Sequence, residues 1–106
     1  MTTSPKVLGD GQLPGTLGDL YTVGTGKSAI IRCITLTNKN TVTETTMIYV
    51  LKLGSTARLL TPNNFRFGAD YKATIDDILT LSAGDKIQGI TTTGSKVDYQ
   101  IHGVEQ

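Results

Sequence analysis

Between Leu79 and Val104, apolar residues alternate with polar ones on both sides of short glycine-bearing breaks. This two-residue period is the strongest constraint in the chain. Successive side chains of a strand point to opposite faces, so alternation builds a sheet with one dry and one wet side. The block Leu79-Thr80-Leu81, the turn Ser82-Ala83-Gly84-Asp85, and the runs Ile87–Thr93 and Val97–Val104 all follow it. The same grammar recurs at Leu20–Val23, Ser28–Asn38, Thr45–Leu53, Thr56–Thr61 and Tyr71–Leu81, each rich in β-branched residues and bounded by Gly, Pro or Asn. About seven or eight runs at roughly 8–12-residue spacing predict an all-β, antiparallel, jelly-roll-like β-sandwich.

Local details refine this reading. In Ser28–Asn38, Arg32 shares a face with Ile30, Ile34 and Leu36. A bulge near Arg32 resolves that conflict. In Thr45–Leu53 one face carries Met47, Tyr49, Leu51 and Leu53, while the other carries Thr46, Ile48 and Val50. A strand apolar on both sides is either covered twice or faces another subunit. Gly54-Ser55 predicts one hairpin, and Gly94-Ser95 predicts a final hairpin joining the last two strands. The only helical spacing is Ile75, Ile78 and Leu79, enough for one turn at most.

A chain of 106 residues makes one domain. Aromatic residues are 6% and Trp is absent, so the core must come from Ile, Leu and Val. Such a thin core favours association between copies. Residues 1–18 hold two prolines and four glycines around scattered apolar side chains, and read as an extended N-terminal arm ahead of a sandwich over residues 19–106. The arm is expected to lie on a neighbouring surface, with Val7, Leu8, Leu13 and Leu17 as its anchors. A second expected protein contact is the loop carrying Phe65, Arg66 and Phe67, which follows the break at Pro62-Asn63-Asn64.

Ten basic and nine acidic residues give a net charge of +1, mixed along the chain. No Lys/Arg run marks a direct nucleic-acid partner. The first residues lack the apolar segment of a signal peptide, and no apolar run approaches the roughly 20 residues that span a bilayer. A soluble protein made in a cytoplasm, with no membrane partner, is expected. The single cysteine, Cys33, sits in an apolar run and reads as a small buried hydrophobe.

Several motifs touch on chemistry without completing it. Gly24-Thr25-Gly26-Lys27-Ser28 resembles the end of a phosphate-binding loop. The glycine required upstream is Tyr21, and a strand follows where a helix is needed. The adjacent carboxylates Asp76 and Asp77 point to opposite sides of a strand and cannot act on one substrate together. His102 is the only histidine and reads as a structural or surface residue. Asp85 belongs to a turn, and a calcium site there needs oxygen ligands that the sequence does not place. The expectation is therefore no catalytic residue, no metal, no cofactor and no enzymatic activity.

The succession Leu20-Tyr21-Thr22-Val23, Gly26–Ile31, Ile34–Asn38, Leu79–Ile87 and Tyr99–Glu105 resembles small virion structural proteins of tailed bacteriophages. The resemblance covers about residues 19–106. It implies a β-sandwich of the capsid decoration (cement) or tail accessory type, found in the virion and made in the host bacterial cytoplasm. It implies the major capsid protein or other virion subunits as partners, and a homo-oligomer, with a trimer as the favoured form. The leading expectation is a decoration protein that stabilises the shell. The alternative is a tail, neck or fibre module that binds a receptor carbohydrate through aromatic platforms chosen from Tyr21, Tyr49, Phe65, Phe67, Tyr71 and Tyr99.

Overall fold

The computed structural model describes residues 6–61, 65–76 and 78–106. Its strands are β1 (Lys6–Gln12), β2 (Gly18–Thr22), β3 (Ser28–Asn38), β4 (Glu44–Leu51), β5 (Arg58–Leu59), β6 (Phe65–Phe67), β7 (Lys72–Ile75), β8 (Leu79–Ser82), β9 (Lys86–Thr91) and β10 (Val97–Glu105). The first sheet runs β1-β10-β3-β7, with β8 also on β3; the second runs β2-β9-β4-β5, with β6 also on β4. Every pairing is antiparallel and the pairings are nested: β1 with β10, β2 with β9, β3 with β7 and β8, β4 with β5 and β6. A long hairpin folded over on itself in this way, then closed by β10 on β3 and β9 on β4, is a jelly roll. Among the described residues no helix is long and apolar enough to cross a membrane.

The strand count exceeds the expected seven or eight because two lanes are broken. β7 and β8 occupy the two ends of one lane beside β3, and β5 and β6 do the same beside β4. The run predicted over Tyr71–Leu81 is thus interrupted between Ile75 and Leu79. Short outer strands present few open ladder positions to a foreign strand.

Between the sheets lie Ile31, Ile34 and Leu36 of β3, Ile48 of β4, Leu81, Ile87, Val97 and Ile101, all fully buried. Each such side chain contributes about 1.5–3 kcal/mol relative to staying in water. On β3 the inward set is Ala29 and Ile31, then Ile34 and Leu36, so the phase shifts between Ile31 and Ile34. The ladder gives the cause. Cys33 pairs with His102 and Ile31 with Gly103, leaving Arg32 unpaired in a bulge. The sequence conflict at Arg32 is resolved by that bulge. Opposite it, a β-carbon on Gly103 would run into the Ile30 carbonyl oxygen. Gly89 serves packing instead, since a β-carbon there would sit 2.8–3.0 Å from Leu20, Leu13 and Ile48.

Three expectations are corrected. Residues 6–12 do not stand ahead of the sandwich as an extended arm but form β1, paired along β10, and Leu13 is fully buried in the domain's own core. The glycines that made this segment look like an arm face the sheet interior, where Gly11 pairs with Tyr99 and leaves space beside its ring. The sandwich therefore starts before residue 19.

Nor do β9 and β10 form a hairpin, since they lie in different sheets. The connecting residues spend their backbone groups elsewhere: the Thr92 amide donates to Thr45, the Ser95 amide to Leu13, and the Lys96 carbonyl accepts from Lys39. Ser95 turns the chain with φ 69°. The Gly24–Lys27 turn likewise crosses from β2 in the second sheet to β3 in the first, and its following segment is a strand, as read. Third, Cys33 is half-buried on the outer side of the first sheet, directly opposite His102, rather than in the core.

Candidate interaction surface

The two sheets differ on their outer faces. On β4 the buried positions are Glu44, Thr46 and Ile48, so Thr45, Met47, Tyr49 and Leu51 look outward. On β9, Ile87, Gly89 and Thr91 are inward and Lys86, Gln88 and Ile90 outward. The register sets Met47 beside Ile90, Tyr49 between Gln88 and Leu59, and Leu51 beside Lys86. The Tyr49 hydroxyl lies 3.5 Å from Met47 Sδ. The result is an apolar stripe of Met47, Tyr49, Leu51, Leu59 and Ile90 over a sheet that is already apolar on its inner side. A shallow hollow of about 170 Å³ lies beside Met47 and Ile90. An aromatic and aliphatic centre with a polar border is the pattern of a protein contact.

The border is organised. Asp19 Oδ1 accepts from Gln88 Nε2 at 2.8 Å and Oδ2 from Lys86 Nζ at 3.0 Å, which holds its carboxyl below the usual range. Arg66 faces solvent across from Thr45. The first sheet shows the opposite character, with Thr35, Thr37, Lys72, Thr74, Asp98 and Gln100 outward.

Two buried carboxylates pin the loops around these sheets; sequence reading missed Glu44 and saw Asp85 only as a turn residue. Glu44 begins β4 with 1% of its surface exposed. Its oxygens accept from Asn40 Nδ2 at 2.9 Å, Thr91 Oγ1 at 3.0 Å and the Thr93 amide at 2.8 Å. Desolvation pushes this carboxyl up, but the donors from Thr93, Asn40 and Thr91 outweigh it and hold the group below its ordinary value. Thr46 and Thr91 hydroxyls lie 3.0 Å apart beneath it. Asn38 extends the cluster, donating to the carbonyls of Val42 and Gly68 and accepting from the Asn40 amide. The signal available in sequence was Glu44 at an inward parity position, where a strand otherwise carries Thr46 and Ile48.

At the other end Asp85 is also buried. It accepts from the Leu53 and Ser82 amides, each at 2.9 Å, with Lys52 Nζ at 3.4 Å. Those amides and then Lys52 hold its carboxyl down. The turn at Ser82–Asp85 closes as read from its residues, with Gly84 at φ 88°. Its bond to Leu53, 32 positions away, was not legible. Among the described residues no three His, Cys, Asp or Glu side chains gather as a metal site.

The expected contact residues scatter. Leu8 is half-buried at a bulge in β1, Leu13 is in the core, and Leu17 is half exposed. Val7 pairs with His102 in β1, and its side chain, like that of Phe67, lies outside the described residues. Phe65 opens β6 and packs against the core, leaving Arg66 as the loop residue that looks outward. Of the aromatic platforms, Tyr21 turns inward with its hydroxyl 2.5 Å from Glu105, and Tyr99 is buried. Tyr71 is exposed and Tyr49 sits in the stripe. Asp76 is exposed, and Asp77 lies outside the described residues.

No protein-family model and no curated protein matches the chain. Solved structures share its fold. One is a chain of the T13 IBDV viral particle, 10% identical with a TM-score of 0.51, the match covering 98% of this chain and 30% of that one. Another is from the structure of the infectious bursal disease virus Gx strain, 11% identical with a TM-score of 0.50, covering 98% and 32%. This chain thus spans about a third of the length of the chains it matches. The class defined is the jelly-roll sandwich, and the likeness goes no further than the fold.

Proposed function

We propose that this protein is a non-enzymatic structural component of a virus particle, and specifically a capsid decoration protein of a tailed bacteriophage. The observation that carries the reading is the apolar outer face of the second sheet. An antiparallel strand with one face in water normally alternates apolar with polar, and here the outward side of β4 carries Met47, Tyr49 and Leu51. Covering Met47, Tyr49 and Ile90 against a shell subunit or a sister copy removes that surface from water. The sequence resemblance to phage virion proteins supports the reading, as does the fold shared with a chain of a viral particle.

The test uses particles stripped of this protein and the purified, fluorescently labelled full chain. Cosedimentation with the shell, lost in Met47→Glu while the thermal melt stays unchanged, is the expected result. Binding to tails alone, or to nothing, overturns the role. Undiminished shell binding by Met47→Glu overturns the assignment of this face.

A further inference from the structure

On the side away from β1, the first sheet ends at the lane of β7 and β8. The Asn38 amide donates to the Tyr71 carbonyl, which fixes the phase of the β3–β7 ladder. Facing pairs of an antiparallel ladder alternately exchange and omit their backbone bonds. Ala73 and Ile75, opposite Leu36 and Ile34, therefore spend their backbone groups on β3. Lys72 and Thr74 turn theirs to the open side, where an added strand can take them up.

Side chains along this edge alternate through Asp76. Ala73 and Ile75 are half-buried, while Lys72, Thr74 and Asp76 are exposed. Beside the edge lies a hollow of about 300 Å³, lined by Leu60, Thr61, Phe65 and residues 73–76. Among the described residues, neither the Lys72 ammonium nor the Asp76 carboxylate has an ion pair or hydrogen bond.

The segment Lys72-Ala73-Thr74-Ile75-Asp76 is its own antiparallel complement. Laid on a second copy about Thr74, it sets Lys72 opposite the partner's Asp76 and Ala73 opposite the partner's Ile75. Both charged pairs then lie on the outer face, and both apolar pairs cover the hollow. Opposite charges facing each other across a ladder stabilise it, and like charges weaken it. A slip of two residues one way faces Asp76 with the partner's Asp70; the other way it faces Lys72 with the partner's Ile78. Either slip loses both ion pairs, and a slip of one turns the apolar residues outward. Lysine on an edge deters a foreign strand, whereas a second copy brings a carboxylate to the matching position.

We propose that two copies of this chain join edge to edge through β7, in a two-fold antiparallel pairing centred on Thr74. Their first sheets become one continuous sheet. A ladder this short binds weakly, with dissociation at about 0.1 mM. A two-fold contact closes as a dimer, not as the trimer that the resemblance implies. The edge is separate from the Met47 face, so the pairing and the shell role are tested independently.

The test is sedimentation equilibrium of the full chain between about 10 µM and 1 mM. A reversible dimer is expected. Lys72→Asp and Asp76→Lys each set like charges face to face, and each should weaken the dimer about tenfold without moving the melt. Mixed together, the two single variants should pair with each other. The double variant Lys72→Asp/Asp76→Lys should regain the dimer, because exchanging the charges restores the complement. A monomer throughout, a trimer, or a dimer indifferent to the single reversals overturns the proposal. So does failure of the double variant to recover, or a dimer lost in Met47→Glu.

Discussion

Gly103 of β10 lies against Ile30 of β3 so closely that the backbone leaves no room for a β-carbon, at the point where Arg32 is squeezed out of the ladder. Gly103→Ala must therefore shift the strand or close the bulge, and closing it would reverse the facing of Ile34 and Leu36. A loss of about 3 kcal/mol, or failure to fold, is expected in urea unfolding. Gly9→Ala is the control: its β-carbon would sit 3.2 Å from the Leu20 carbonyl, a tight contact that small adjustments relieve, so its loss should be the smaller.

Glu44→Gln keeps the shape of the side chain but turns one oxygen into a donor facing Thr91, Thr93 or Asn40. Hydrogen bonds to a buried charged group are worth about 1.5–3 kcal/mol each, and a mismatched donor costs a similar amount. The variant should unfold about 2–3 kcal/mol more easily. Unchanged stability would show that the carboxylate is not held as described.

Acid should destabilise the protein through Glu44 and Asp85 together. Both carboxyls are depressed in the folded state, so the unfolded chain takes up their protons first. Their contribution is complete above the ordinary carboxylate range near pH 4 and is lost as pH falls through the depressed folded values. The midpoint of urea unfolding should fall steeply below about pH 4, and less steeply in Glu44→Gln.

Tyr21 gives the opposite sign at high pH. Burial, then the neighbouring Glu105, raises its hydroxyl pKa in the folded state. Stability from this group is present below the unfolded value near 10 and declines as pH rises beyond it. Tyr21→Phe should flatten the alkaline limb of a stability profile measured between about pH 8 and pH 11.

Asp85→Ala unfastens the Leu53 segment from the Ser82–Asp85 turn. Amide exchange at Leu53 and Ser82 should accelerate, with a global loss of about 1–3 kcal/mol. Exchange at Ile34 and Ile101, in the middle of the first sheet, should follow global stability only.

Period-two patterning made the strands legible because one face of each is dry, and it even exposed the Arg32 bulge as a break in phase. It could not say which strands share a sheet. The residues of β9 and β10 look like a hairpin because a glycine lies between them, yet pairing is decided by partners far away in the chain, as with Val97 and Asn38. Residues 6–12 read as part of an extended arm because glycine and proline interrupt any period, whereas here Tyr99 fills the space that Gly11 leaves. Of the apolar face, Met47, Tyr49 and Leu51 were visible from sequence. Its partners Ile90 and Leu59 were not, since they join it only through the ladder.

The nesting of strands also bears on biogenesis. Because β10 occupies an interior lane between β1 and β3, the first sheet has a gap at its centre until residue 105 has left the ribosome. Contacts of such long sequence separation form slowly. A nascent chain of this kind leaves the lane between β1 and β3 empty until β10 arrives.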